Sequence, residues 1–462
     1  MPRIKKRKSY EAKEYWTVLN IFTSRRRSSK MLIEEILSEE NLNEALERVI
    51  ANKGASGVDK MTINQLKPYF NEHKKEIVSS IMNKTYKPQP VRRVYIPKAN
   101  GKLRPLGIPS VVDRVIQQAI AQRLVPIYEK VFSNFSYGFR PNRDCHMAIG
   151  QVLNNLNSGF EWVIDLDIEK YFDTVNHDKL ISILRENVND SHTLHLIRKF
   201  LQAGVMENGL TSATTIGVPQ GGPLSPILSN IYLDKFDKEL EYRGLSFVRY
   251  ADDCNIFVRS EKSANRVMAS VTSWLERKLF LKVSATKTKI VRPTNSNFLG
   301  FTFWKSTKGW ECRPQDNRKI KLIEKVKLVL KRKHAVSKPL AITLIKLNQI
   351  IKGWINYFKI GSMKKWLSEI FGPWLRHKIR VIIIKQWKKA KTIYANLMKI
   401  NKAYNCGFSD EDIYATANTR LGWYRQCGTK TVNCLISTDL LSKSNKKRNR
   451  PGLVNPLLYY LK

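Results

Sequence analysis

Apolar positions in the first part of the chain change period twice, and each change marks an element. Leu32, Ile36, Leu42, Leu46 and Val49 fall at helical spacing and predict one or two short helices between Met31 and Ala51. A loop at Gly54–Asp59 follows, then a helix from about Thr62 to Met82 that stops before Pro88-Gln89-Pro90. From Val91 to Ile108 the pattern alternates with period two and breaks at Asn100-Gly101, a dipeptide suited to the left-handed positions of a tight hairpin turn. Val115, Ile116, Ala119, Ile120 and Leu124 return to helical spacing between Asp113 and Tyr128.

Two later apolar runs carry carboxylates. Trp162–Ile168 reads as a strand holding Asp165 and Asp167, and it leads into Glu169–Asp173. Leu245–Val248 and Cys254–Val258 flank Tyr250-Ala251-Asp252-Asp253, which predicts a hairpin with two acids at its tip. Short helices are expected near Leu180–Arg185 and Leu194–Leu201, strand character from Ile290 to Phe303, and long helical patterns beyond Arg318. Aspartate favours turns, so Asp252-Asp253 alone fits a solvated loop. Two strands that each bring an acid to one sheet end make a different option: a pair of divalent cations about 3.5–4 Å apart, as used for in-line phosphoryl transfer.

Composition narrows the class. A chain of 462 residues with 42% hydrophobic and 10% aromatic content buries a sizeable core, enough for several domains. Its 81 basic residues against 39 acidic ones give a net charge of +42, which calls for a polyanionic partner, nucleic acid before a membrane surface. No run reaches the length of apolar residues needed to span a bilayer, and the basic opening Pro2–Lys8 is followed by no apolar signal core, so a cytoplasmic location is expected. The six cysteines are scattered without a Cys-x-x-Cys and read as reduced thiols. Residues 318–402 hold 23 Lys or Arg against two acids, about half the net charge, interleaved with Trp354, Tyr357, Phe358, Trp366, Trp374 and Trp387. Aromatic residues at helical spacing are core by default; the cations between them fit a surface that grips a nucleic-acid backbone.

Other residues supply what joining nucleotides demands. Lys98 and Arg104 flank the Asn100-Gly101 turn and are placed to meet phosphate oxygens, although such residues are common on surfaces. Phe172 follows Asp167 closely, where its ring could fill the space of a ribose 2′-hydroxyl; alone it would pass for core. Gly217–Pro226 is a Pro- and Gly-rich turn entering a helix at Ile227; its glycines permit close approach of a nucleotide, and Gln220 can hydrogen-bond along it. Lys287 could neutralise or protonate pyrophosphate, and Phe298–Phe301 could brace a primer strand.

In this order the Asp167 segment, the Gln220-Gly221 turn, the Tyr250–Asp253 hairpin, the Lys287 segment and the Phe298–Phe301 strand resemble a reverse transcriptase, in particular the group II intron-encoded reverse transcriptase/maturase family. Gly54–Asp59 is similar to that family's extra upstream block, and Val94–Pro109 and Tyr137–Pro141 look like its fingers blocks. Ile350–Phe358 resembles the signature of its maturase (X) domain, which serves as the thumb. The likeness runs over roughly residues 35–435.

The resemblance implies an α+β right-hand polymerase, with fingers, a palm built on an antiparallel sheet, and an α-helical thumb/X domain. It divides the chain into a basic N-terminal extension (1–34), a helical region with the upstream block (35–90), fingers and palm (91–303), maturase/thumb (304–402) and a basic C-terminal DNA- or RNA-binding tail (403–462). It implies an RNA-directed DNA polymerase that binds group II intron RNA, assists splicing and copies that or another RNA template into cDNA. A DNA primer or target and dNTPs are its partners, in a bacterial-type cytosol or nucleoid. Carried over by position, Asp167, Asp252 and Asp253 are catalytic and, with the Ile168 carbonyl, hold two Mg²⁺ ions. Lys98, Arg104, Phe172, Gln220 and Lys287 meet the nucleotide, and Asp165 is structural.

Residues 378–462 contain no histidine, so no His-Asn-His endonuclease is expected there. The Gln220–Pro226 form argues against diversity-generating elements, and the Gly353-Trp354 helix against retron-type enzymes. The Lys443–Arg450 run is either a nucleic-acid contact or a solvated charge run. Two alternatives stay open: a host-adopted relative serving defence or repair, and a splicing-only maturase whose polymerase is vestigial.

Overall fold

The computed structural model describes residues 31–97, 101, 103–207, 209–444 and 450–462. Lys98, nearly all of the N-terminal extension and the centre of the Lys443–Arg450 run lie outside the described residues. The chain forms two compact units, one of residues up to Val152 plus Phe160–Ile290, the other of Leu153–Gly159 plus Val291–Lys462.

In chain order the first strands are β1 (Val91–Pro97), β2 (Leu103–Ile108), β3 (Trp162–Asp167), β4 (Val205–Glu207), β5 (Leu210–Ser212), β6 (Ser246–Tyr250), β7 (Asp253–Val258) and β8 (Lys289–Val291). They make two sheets, ordered β2-β1-β4-β5 and β6-β7-β3-β8. The β1–β2, β4–β5, β3–β7 and β6–β7 pairs are antiparallel, whereas β1 and β4 run parallel.

Helices cover these sheets because their apolar residues are spaced for it. Helix Ile63–Met82 starts with a capping box, in which the Thr62 amide donates to Gln65 Oε1 at 2.9 Å. Helix Val111–Tyr128 starts where Ser110 Oγ accepts the Asp113 amide at 3.1 Å, and it buries Val115, Ile116, Ala119, Ile120 and Leu124 completely. Helix Ser225–Tyr242 is buried over most of its surface: Ile227, Leu228, Ile231, Tyr232, Leu233, Phe236 and Leu240 are all buried, and so are the polar Asn230, Asp234 and Asp237, which makes it the central helix of the unit. Each such apolar side chain contributes about 1.5–3 kcal/mol of burial. The Tyr232 hydroxyl, deep in this core, donates to the Leu279 carbonyl at 2.6 Å.

The second unit has a three-stranded antiparallel sheet of β9 (Asn297–Phe298), β10 (Phe301–Ser306) and β11 (Gly309–Pro314), ordered β11-β10-β9. Helices follow, among them Asp316–Val329, Leu340–Phe358, Gly372–Trp387 and Ala390–Tyr404. A π-helical turn at Trp366–Phe371 precedes Gly372-Pro373, where the proline has no amide to continue regular pairing. The interleaved aromatic residues pack on one another: Phe301 on Phe358 (ring centroids 5.0 Å), Phe358 on Trp354 (4.8 Å), Trp354 on Trp366 (5.5 Å), Trp366 on Phe371 (5.0 Å). Their helical spacing therefore serves packing.

Two features depart from the sequence reading. Strand structure continues past Phe303 through β11, because the run Trp310–Arg313 pairs with Thr302–Lys305 after a turn at Thr307-Lys308, which Gly309 (φ 116°) closes. Beyond residue 404 the described chain forms short helices that the sequence reading did not mark, held to the preceding ones: Asn348 Nδ2 donates to the Gly452 carbonyl at 2.8 Å, and the Tyr460 hydroxyl to the Gly361 carbonyl at 3.1 Å. No described helix is long and apolar enough to cross a membrane.

Candidate active site

The carboxylates sit where β3 meets the β6–β7 hairpin. Tyr250 pairs with Asp253, leaving Ala251 and Asp252 as the turn, and Ala251 has a left-handed φ of 58°. Tight hairpins require that conformation, but a residue with a Cβ adopts it at a cost of about 1–2 kcal/mol. Surrounding residues impose it. Arg249 Nη1 donates to the Ala251 carbonyl at 2.9 Å, and Gly138 comes so close that a Cβ there would lie 2.3 Å from the Ala251 amide nitrogen.

Across the β3–β7 ladder Asp167 is the register partner of Asp253, so the two side chains project from the same face of the sheet. Two residues back, Asp165 pairs with Asn255, whose Nδ2 donates to Asp165 Oδ1 at 2.8 Å. The segment after Leu281 closes the other side: Ser284 N donates to the Asp167 carbonyl at 2.9 Å, and Glu169 N to the Lys282 carbonyl at 2.8 Å. Ile168 lies between those two bonds opposite Val283, in the non-hydrogen-bonded position of an antiparallel bridge, so this bridge makes no use of its carbonyl. Lys287 Nζ reaches both oxygens of Asp167, at 2.8 and 3.0 Å, while its side chain stays largely in solvent.

Crowding is visible in the electrostatics. The Asp253 carboxyl keeps solvent contact, yet it is pushed up to about 6, first by desolvation and then by the charges of Asp252 and Asp167; Lys287 offsets part of this. Among the described residues no three acidic, histidine or cysteine side chains already close into a cage. The donor set is nevertheless all oxygen, excess negative charge gathers at one sheet end, and an ammonium already stands against Asp167. Those features fit a hard divalent cation.

The Gln220 turn is stitched to the Phe172 segment. Val218 N donates to the Phe172 carbonyl at 2.7 Å and Gly217 N to the Val175 carbonyl at 2.8 Å. On the other side Gly107 N donates to the Gln220 carbonyl at 2.7 Å, and Gly221, at φ 126°, lies where a Cβ would be 2.6 Å from the Gly107 oxygen. Between these elements opens a cleft of about 340 Å³ lined by Arg93, Tyr95, Phe172, Gly217, Pro219 and Gln220, among others.

The structure thus brings Asp167, Ile168, Asp252, Asp253 and Lys287 together, and Phe172 with Gln220. Arg104 is exposed and pairs with Ile96, which puts it on the opposite face of the β1–β2 hairpin from Arg93, Tyr95 and Gly107; it does not line the cleft. Lys98 lies outside the described residues. Sequence reasoning did not single out Arg93 and Tyr95, whose signal was only their place in an alternating strand. It also overlooked Arg249 and the helix residues that hold it.

A strand pair presenting carboxylates at one end, with a glycine-rich turn and a cleft in the same unit of mixed α+β structure with antiparallel sheets, fits a nucleotidyl transferase. Residues 96–303 match the family described as Reverse transcriptase (RNA-dependent DNA polymerase), and residues 320–401 match the Group II intron, maturase-specific domain. Protein YkfC of Escherichia coli is 36% identical over 299 residues, covering 56% of this chain and 78% of that protein. The group II intron-encoded protein LtrA of Lactococcus lactis is 44% identical over 207 residues, 44% of this chain and 34% of LtrA. A putative COX1/OXI3 intron 2 protein of Saccharomyces cerevisiae is 34% identical over 252 residues, 54% of this chain and 28% of that protein. The chain therefore spans about a third of the two intron proteins it matches. It belongs to the group II intron reverse transcriptase/maturase family, RNA-directed DNA polymerases whose reverse transcriptase domains generally use divalent metal ions.

Proposed function

We propose that this chain copies group II intron RNA, or another RNA template, into cDNA from a DNA primer and dNTPs, and that it assists splicing of the intron it binds. We place that activity in a bacterial-type cytosol or nucleoid. The observation that carries the polymerase reading is Asp167 directly across the ladder from Asp253, with Asp252 next to it in the turn. Asp167, Asp252 and Asp253, with the Ile168 carbonyl, would hold two Mg²⁺ ions. Bound there, such ions activate a primer 3′-hydroxyl and neutralise the triphosphate.

The chain's own residues do the rest. Phe172, half-buried beside the cleft, limits the room for a 2′-hydroxyl, and Gln220 with its glycine neighbours forms the wall along which the nucleotide lies. The primer 3′-oxygen bonds to the α-phosphorus, pyrophosphate leaves and the hydroxyl proton passes to solvent. Lys287, with its side chain largely exposed, supplies positive charge to the departing pyrophosphate. Arg104 of β2, and Lys98 by its place in the sequence, extend phosphate contacts from the fingers. In this reading the β6-β7-β3-β8 sheet is the palm, the basic helices within 304–402 are the thumb and the residues beyond 403 add nucleic-acid contacts.

Primer extension on an RNA template with dNTPs tests the reading. Asp252→Ala should abolish cDNA synthesis while intron RNA binding, read by filter retention, survives. Extension by the purified variant at the wild-type rate would refute the carboxylate assignment.

A further inference from the structure

From its buried contacts we infer that Arg249 is a positioning residue for the metal-binding turn, and that the central helix Ser225–Tyr242 sets the distance between that turn and the nucleotide. This rests on the polymerase reading above. The Arg249 guanidinium is buried with Asp237 of the helix: Nε donates to Asp237 Oδ1 at 2.7 Å and Nη2 to Oδ2 at 2.5 Å. Burial works against the guanidinium charge, but the Asp237 carboxylate outweighs it and raises the Arg249 pKa. Nη1 is left for two acceptors, Asn230 Oδ1 at 3.1 Å and the Ala251 carbonyl at 2.9 Å. Arg249 therefore ties the left-handed turn residue, one position before Asp252, to the helix.

Asn230 makes a second tie. Its Nδ2 donates to the Gly138 carbonyl at 2.8 Å, and Gly138 is the residue packed against the Ala251 amide. The turn is thus gripped from both sides by one asparagine, directly through Gly138 and indirectly through Arg249. One residue earlier, the Ser229 carbonyl accepts the Tyr171 hydroxyl at 2.9 Å, and Tyr171 precedes the sugar-facing Phe172. At its N-terminus the same helix begins in the Gln220–Pro226 turn, with Ser225 Oγ donating to the Pro219 carbonyl at 2.5 Å. A single rigid rod therefore carries attachments for the nucleotide wall, the sugar-facing segment and the metal turn. An ion pair needed only for stability would not require Nη1 to be directed at Ala251.

Two variants separate positioning from stability. Arg249→Lys keeps a cation against Asp237, but one ammonium cannot form the fork and also reach Ala251. Asn230→Ala leaves the Arg249–Asp237 ion pair intact but removes both the tie to Gly138 and one of the two acceptors of Arg249 Nη1. Both should fold, with melting temperatures lowered because buried groups lose hydrogen-bond partners. Manganese binding to the nucleotide-free protein, read by electron paramagnetic resonance, should weaken by about 10–100-fold. The KM for dNTP at saturating metal should move less than about threefold, because the Gln220 turn keeps its own attachments. Folded variants with wild-type manganese binding and kcat would overturn the inference; should Arg249→Lys fail to fold, Asn230→Ala decides it. A wild-type chain that neither binds manganese nor extends a primer would instead sink the polymerase reading itself.

Discussion

Phe172 shows how one ring can serve two ends. Its neighbour Tyr171 is buried and anchored, the two rings meet edge-to-face at 5.2 Å, and only Phe172 keeps a partly open face toward the cleft. Phe172→Ala should therefore leave the fold in place and reduce discrimination against ribonucleotides by roughly tenfold or more, read as the ratio of kcat/KM for dNTP and rNTP. Unchanged sugar selectivity would remove the role. Asp253 offers a test through pH. Its folded pKa of about 6 lies above the ordinary aspartate value of 3.8, so the fold favours the protonated form. The metal-free protein thus loses stability as pH rises from about 4 through 6, and the penalty is fully present above that window. Asp253→Asn should flatten this dependence and stabilise the metal-free protein at pH 7 by about 1 kcal/mol, a figure reduced for solvent screening. Matched wild-type and variant thermal melts in chelator would show it. Asp113 and Asp234, also near 6, titrate in both proteins and cancel in the difference.

At the scale of elements, the Gln220 turn is the place where shape is least negotiable. Gly221→Ala puts a Cβ against the Gly107 carbonyl at a backbone angle that L side chains rarely adopt. The expected cost is about 1–3 kcal/mol in chemical denaturation, with a raised KM for dNTP as the turn shifts. The elements themselves differed in how readable they were. The β1–β2 hairpin showed in the sequence as period-two alternation around a turn signal, and the β6–β7 hairpin as two apolar, β-prone runs on either side of an acidic turn. The β4–β5 hairpin did not: its three-residue strands are too short to display a period, and β4 finds its place by pairing in parallel with the distant β1. The Arg249–Asp237–Asn230 cluster was invisible for another reason. Charged and amide residues within a helix normally mark a solvated face, and nothing local indicates that these three are buried against one another.

For the whole molecule, charge is the dominant fact. In the second unit Lys325, Lys327, Lys331 and Lys333 are exposed within one short stretch. Replacing all four by glutamine should weaken binding to an RNA–DNA duplex and lower the slope of log affinity against log salt by about 0.7–0.9 for each phosphate that is no longer neutralised. An unaltered slope in a titration between low and moderate salt would mean these lysines face elsewhere. Composition made a polyanionic partner legible from the start; which cations touch it was not, because pattern alone cannot tell a gripping lysine from a solvating one.

The division into two units has a temporal side. Leu153–Gly159 emerge from the ribosome before β3, yet they pack within the later unit, where Asn157 Oδ1 accepts the Trp310 amide at 2.9 Å. During translation those seven residues must wait for their neighbours in the later unit until the chain through Ile290 and the β10–β11 hairpin has been made. A nascent chain whose emerged residues end near 290 would therefore hold the end of helix Cys145–Asn157 without its later neighbours, a point at which a chaperone or a protease could intervene.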